Sequence, residues 1–302
     1  MNAQTPVDHH FVPIFYLKAW AVDGRVERYS RPRDIVVAKS NSPKRTGSEA
    51  HLYTLRGVAP ERQAAIETQF FQPVDDKAAV AHRILLAGGL KALTLLQRIE
   101  WARFMMSMQY RSPWSLGELA RLCDKIMREN MGGGEAGFDE MRKPGDPETM
   151  YEWFLKYRPE TIANFHKITL PSVIDSENMG KYLVNMIWST VDLSGSKFSL
   201  LTGDRPLVHS HGWKHPDTTL AFPLSPTMVL FANNRHERTQ DILSTPAVRL
   251  VKQVNEHIVR CAVDFVVGRD KSHLAFVEKR LRRPGEEPVP GPGGRGRPGC
   301  PE

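Results

Sequence analysis

The chain has 302 residues, 41% hydrophobic and 25% charged, with a formal net charge of +7 at pH 7. That is the composition of an ordinary soluble globular protein with enough length for a large core. It excludes membrane helices, because no apolar run approaches the roughly 18 residues that one needs. The first twenty residues lack the basic start and apolar stretch of a signal peptide. Cys123, Cys261 and Cys300 are scattered without CxxC spacing, which fits a reducing cytoplasm and argues against a disulfide framework or zinc knuckle.

Residues 1–7 are expected to fray, and residues 8–22 to form a short helical or extended segment. Gly24–Tyr29 alternates between Gly and Pro boundaries and reads as a strand. Ile35–Val37 and His51–Leu55 are further strand candidates, around a loop near Asn41–Glu49. From Pro60 the spacing turns helical through Ile66, Phe70, Val74, Ala78 and Leu85, with Pro73 expected to kink the run and Gly88-Gly89 to stop it. Leu90–Arg111 predicts a helix with Leu93, Leu96, Ile99, Phe104 and Met108 as its apolar members, ended by Ser112-Pro113. The next helix spans about Ser115–Met131, with Leu116, Leu119, Leu122 and Ile126 on one face; Gly132-Gly133-Gly134 closes it. Glu148–Tyr157, Pro159–Phe165 and Glu177–Val191 also read as helices.

Strands return at Lys197–Thr202, Thr218–Phe222 and Met228–Ala232. Thr245, as N-cap, starts a helix through Val248, Val251, Val254, Ile258 and Cys261. Phe265–Val267 extends it or forms a strand, and Leu274–Leu281 closes the folded part. The expected class is α+β: a mainly helical middle flanked by a small, mostly antiparallel sheet from N-terminal and C-terminal strands. Residues 8–283 form one domain, and 284–302 a Pro- and Gly-rich disordered tail.

The basic balance favours phosphate-bearing partners, either nucleic acid or another anionic ligand. No basic block marks a binding arm; Lys279–Arg283 ends a predicted helix, where positive charge also suits the helix dipole. Walker A, GxGxxG, GxSxG and HExxH signatures are absent. Four constellations remain. His10, beside Pro13 and Tyr16, reads as an acid/base or ligand with an orienting hydroxyl, or as a hydrogen-bonded member of a packed segment. Gln109 and Arg111 end a helix, where Arg111 clamps an anion or forms a structural salt bridge. Asp204, in Leu-Thr-Gly-Asp-x-Pro, binds a metal, orients His10 or makes an Asx-turn. His209, His211 and His215 offer a weak metal-site spacing with Asp204 as fourth ligand. Glu67 and Asp75 fall eight residues apart on roughly one helix face, with solvated charge as the default.

These pieces resemble one family. HHFVPIFYLKAW is similar to the H-x-V-P-x-x-Y-L-x-x-F start of the domain-of-unknown-function 4238 family, found mainly in bacteria. The acidic helix, ARFMMSMQYRSP, LLTGDRP, FPLSP and the helix with Val254-Asn255 follow in the family's order, over roughly residues 8–280. Trp20 stands where the pattern has Phe, Gly203 where Ser is usual, and Asp75 where it has Glu. The resemblance implies no activity, substrate or cofactor. It singles out His10, Pro13, Tyr16, Gln109, Arg111, Asp204, Pro206, Pro223 and Asn255, and it weakens the metal reading of the three histidines.

The leading expectation is a nuclease-like phosphodiester hydrolase. His10, Arg111, Asp204 and Asp75 would be catalytic, and Tyr16, Gln109 and Asn255 would hold substrate. A divalent metal is compatible with that set; the cofactor and the oligomeric state are left open. The rivals are a non-catalytic module for an anionic ligand or nucleic acid, and a purely structural role in which these polar groups are buried ties.

Overall fold

The computed structural model describes residues 7–132 and 136–287. Residues 1–6 and 288–302 lie outside them, and with them most of the expected frayed start, most of the expected tail and Cys300. The first part holds β1 (Asp8–His10), α1 (Ile14–Leu17), β2 (Val26–Ser30), β3 (Val37–Asn41) and β4 (Ser48–Ala50). The helical middle holds α2 (Gln72–Gly88), α3 (Leu95–Tyr110), α4 (Pro113–Met131), α5 (Ala136–Met141), α6 (Met150–Tyr157), α7 (Pro159–Ile174) and α8 (Glu177–Asn185). Then come β5 (Ile187–Asp192), β6 (Thr202–Gly203), β7 (Val208–His209), β8 (Thr219–Ser225) and β9 (Met228–Asn233). The chain continues through α9 (His236–Ser244), α10 (Ala247–Cys261), β10 (Phe265–Gly268) and α11 (Leu274–Glu278).

The arrangement is α+β with three antiparallel sheets. β1 pairs with β4; a second sheet runs β3-β2-β10-β6; a third runs β5-β9-β8-β7. N-terminal and C-terminal strands do meet, since Tyr29 of β2 lies opposite Val266 of β10. The third sheet, drawn entirely from residues 187–233, goes beyond the single small sheet expected. Its central strands are buried on both faces. Leu220, Phe222, Leu230 and Ala232 enter one apolar cluster with Tyr16, Trp101 and Phe104. Ala221, Val229 and Phe231 enter the other, with Val251, Val254 and Ile258 of α10. Period-two alternation therefore feeds two cores from one pair of strands.

Several boundaries differ from the sequence reading, each for a physical reason. Pro73 does not break the second helical run. Ile66–Phe71 forms a π-helical turn, with the Gln72 N–H bonded to the Glu67 carbonyl, and α2 then starts around the proline. The wider turn accommodates a residue that has no donor and needs room at the carbonyl four back. The expected strand His51–Leu55 is absent: His51, at φ +59°, opens a turn over residues 51–53, and Thr54 and Leu55 are irregular. Ile187–Val191 leaves the predicted helix to pair with β9. On α4 the buried face is Leu116, Leu119, Cys123 and Met127; Leu122 and Ile126 face solvent. On α3 every residue from Trp101 to Gln109 except Arg103 is buried, while Leu96 and Ile99 are exposed. Pro246, not Thr245, precedes α10, and the Thr245 hydroxyl donates to the Asp241 carbonyl.

Candidate functional site

Arg111 follows the last turn of α3 and is wholly buried. Its Nη1 donates to Asp75 Oδ1 at 2.7 Å and its Nη2 to Asp75 Oδ2 at 3.0 Å. Nη2 also donates to the His10 carbonyl at 2.7 Å, and the guanidinium lies 4.4 Å from the centre of the Phe71 ring. The Tyr53 hydroxyl donates to the Arg111 carbonyl. Burial works against the Arg111 charge, but Asp75 outweighs it, so the pKa lies above the ordinary arginine value. A substrate would have to displace Asp75 to use this fork.

Glu67 joins the same cluster from the π-helical turn. Sequence treated it as solvated by default; the structure buries it to 8% exposure and leaves Oε2 without a hydrogen-bond partner. Burial pushes its pKa up to about 7, with Arg111 pulling down and Asp75 pushing up. Two carboxylates thus share one guanidinium, and only Asp75 is bonded to it.

The N-terminal pair of histidines splits along β1. His9 points inward: its Nδ1 accepts the Tyr53 N–H at 2.9 Å and its ring stacks on Tyr53 at 5.5 Å. His10 is half-buried, and its Nε2 donates to the Lys44 carbonyl at 3.0 Å. His10 therefore meets Arg111 through its backbone, while its imidazole holds the Pro43–Arg45 turn.

The other residues singled out by sequence bridge distant segments. The Tyr16 hydroxyl donates to the Pro223 carbonyl at 2.8 Å and pairs with Thr202 Oγ1 at 2.7 Å; burial raises its pKa. Gln109 Nε2 donates to the Leu207 carbonyl at 3.0 Å. Asn255 accepts the Leu201 N–H at 2.8 Å and donates to the Ser199 carbonyl at 2.9 Å, which leaves 197–201 irregular beside it. Trp20, in place of the pattern's Phe, donates its indole N–H to the Leu200 carbonyl. Asp204 is buried and accepts the backbone N–H groups of Val263 and Asp264 at 2.5 to 3.2 Å. Burial raises its pKa to about 6 against those donors. His10, Asp75 and Arg111 come together, whereas Asp204 bonds the turn that leads into β10.

The histidine trio does not form a metal site. His209 Nδ1 bonds the His211 carbonyl, and His211 stacks on His215 at 4.6 Å. Among the described residues no group of three His, Cys, Asp or Glu side chains is placed to hold a metal ion.

An open cleft of about 510 Å³ is lined by none of His10, Asp75, Arg111 and Asp204. Its walls include the neighbours of the sequence candidates: Phe11 beside His10, Pro113 two residues past Arg111, and Asp264, whose N–H Asp204 holds. Gly47, also in its wall, is at φ +71°, and a Cβ there would stand 2.7 Å from Val12 Cβ. Its carbonyl accepts the N–H groups of Phe11 and Val12, which pins the segment after β1 against the floor of the cleft.

Three arginines enter this cleft. Arg28 is half-buried on β2; it donates to Ser30 Oγ at 3.0 Å and covers Phe265 at 4.7 Å. Burial lowers its pKa, opposed by Asp264 and Asp204. Arg31 donates to the carbonyls of Asp34 and Glu278, and its Nε is buried without a partner. Arg45 is exposed at the end of the turn that His10 holds. Eight other arginines pair with carboxylates within 4 Å. Among the described residues none of these three does. Sequence reasoning passed over them, because Arg28, Arg31 and Arg45 share no spacing that marks a site.

No helix among the described residues is long and apolar enough to cross a membrane. No curated protein and no solved structure matches the chain. One family model does, over residues 8–272, and its description is "Protein of unknown function (DUF4238)". With most of its length matched, the chain belongs to the DUF4238 family.

Proposed function

We propose that this protein is a binding module for a phosphate-bearing anion, held in the cleft between β2, β10 and the Pro43–Ser48 loop. The observation that carries this reading is the convergence of Arg28, Arg31 and Arg45 on one cleft, none of them in an ion pair within 4 Å among the described residues. Asp264 and Asp204 offset part of the Arg28 charge at a distance, but guanidinium groups with no bonded carboxylate at a partly desolvated surface still attract an anion more strongly than they would in open water. The nuclease-like reading has less support. Arg111 is committed to Asp75 and His10, and Asp204 to two backbone N–H groups.

Calorimetric titration with pyrophosphate tests the reading. The wild-type protein should bind saturably, and more weakly at 300 mM than at 50 mM NaCl. Arg45→Ala should weaken binding about tenfold, in line with loss of one charge-assisted contact. Wild-type protein that takes up no pyrophosphate, or an Arg45→Ala variant that binds unchanged, contradicts it.

A further inference from the structure

We propose that the occupant of the arginine cleft is a nucleoside phosphate, not a bare inorganic anion. This rests on the anion-binding reading above and deepens it. The decisive feature is the pair of carboxylates in the same walls. Asp264 and Glu49 line the cleft, both are exposed, and among the described residues neither forms a salt bridge or a side-chain hydrogen bond. A site shaped for phosphate alone is weakened by two negative groups beside it, because each repels the ligand. Asp264 faces Arg28 and Glu49 faces Lys167 only at a distance; a carboxylate only accepts hydrogen bonds, so these two suit a ligand that carries donors as well as charge. Sugar hydroxyls and base N–H groups are such donors, and an acidic side chain against ribose hydroxyls is a common way to hold a nucleotide.

The third wall agrees. Arg28 lies against the Phe265 ring on one side, and Phe11 packs 6.1 Å from that ring. A planar guanidinium backed by aromatic carbon is a platform on which a nucleobase stacks. Arg45, free of any carboxylate partner, then takes the phosphate, with the fixed charge of Arg31 behind it. The volume of about 510 Å³ lies in the usual range for small-molecule sites, roughly 300 to 1,000 Å³. Charge, donors and a flat ring are the three chemistries of a nucleotide, and the cleft offers guanidinium charge, carboxylate acceptors and the plane of Arg28 over the buried Phe265 ring as their counterparts.

The test compares AMP, ribose 5-phosphate, inorganic phosphate and pyrophosphate by calorimetry, on wild-type protein, Arg45→Ala and Asp264→Asn. AMP should bind at least tenfold tighter than inorganic phosphate, with ribose 5-phosphate between. Arg45→Ala should weaken all four, and Arg45→Lys should recover part of the loss. Asp264→Asn should shrink the preference for AMP over inorganic phosphate several-fold, by loosening the sugar and relieving repulsion of the bare anion. The Asp264 side chain is exposed and its backbone N–H stays bonded to Asp204, so the fold is expected to survive; a melting curve verifies that. A 5′-phosphorylated RNA pentamer, run alongside, separates a free nucleotide from a strand end as the source. Tighter binding of the pentamer than of AMP assigns the strand end; equal or weaker binding assigns the free nucleotide. If AMP binds no tighter than inorganic phosphate while Arg45→Ala still weakens both, the nucleotide assignment falls and the anion site stands. If wild-type protein binds none of these probes, both fall.

Discussion

Arg111 and Asp75 form a two-point pair, 2.7 and 3.0 Å long, between the end of α3 and the first turn of α2. The guanidinium is wholly buried, and its third bond fixes the His10 carbonyl of β1. One side chain therefore ties three elements that are far apart in sequence. Removing either partner leaves the other's charge without compensation in a poorly solvated place. Arg111→Ala and Asp75→Ala should each destabilise the protein by roughly 3 kcal/mol or more. Arg111→Lys should not restore it, because an ammonium cannot make the two parallel bonds. Urea unfolding followed by circular dichroism measures this. A loss under 1 kcal/mol would show that the pair is not a structural tie.

Glu67 gives a pH signature. Its folded-state pKa is raised to about 7, above the unfolded carboxyl value. The native state thus holds a proton that the unfolded state has released. The stabilising contribution is complete below the unfolded value, declines as pH rises, and is gone above about pH 7. At pH 8 the ionised Glu67 should leave the protein less stable than at pH 5 by up to roughly 3 kcal/mol. Glu67→Gln, which stays neutral, should flatten that slope and raise stability at pH 8. A variant with the wild-type slope would place the responsible proton elsewhere.

Asp204 should matter through the backbone that it caps. Asp204→Ala strips the acceptor from the Val263 and Asp264 N–H groups where the chain turns into β10. An unpaired buried donor costs about 1 to 3 kcal/mol. Asp204→Asn, which keeps one oxygen, should lose about half as much. Equal losses for the two variants would point to the charge instead of the bonds.

His10 should influence the cleft without touching the ligand. Its imidazole holds the Lys44 carbonyl, one residue from Arg45. His10→Ala frees that turn and should lower pyrophosphate affinity several-fold with a smaller change in melting temperature. His10→Gln offers an amide N–H for the same carbonyl and should recover part of the affinity. A purely structural role would move the melting temperature and leave affinity alone.

The fold class was legible from the order of elements and from Gly, Pro and apolar spacing. α10 could be read from Val251, Val254 and Ile258, because only one of its faces meets the core. α3 misled because its C-terminal half is buried on nearly every side, so periodicity does not reveal which apolar residues are inside. β5 was hidden in a helical pattern because pairing with β9 overrode local preference. Among candidate residues, local motifs marked Tyr16, Gln109, Arg111 and Asp204, and the family resemblance marked Asn255, but neither could say that their partners are mostly backbone atoms up to about two hundred residues away. The cleft arginines carry no motif. What distinguishes them is a missing partner, and that is a property of three-dimensional placement.

The most direct test is to follow the arginine Nε–H signals by NMR while pyrophosphate is added. The account predicts saturable shifts at Arg28, Arg31 and Arg45, with Arg111 unchanged because Asp75 and His10 already hold its fork. A shift at Arg111 with the three cleft arginines silent would contradict it.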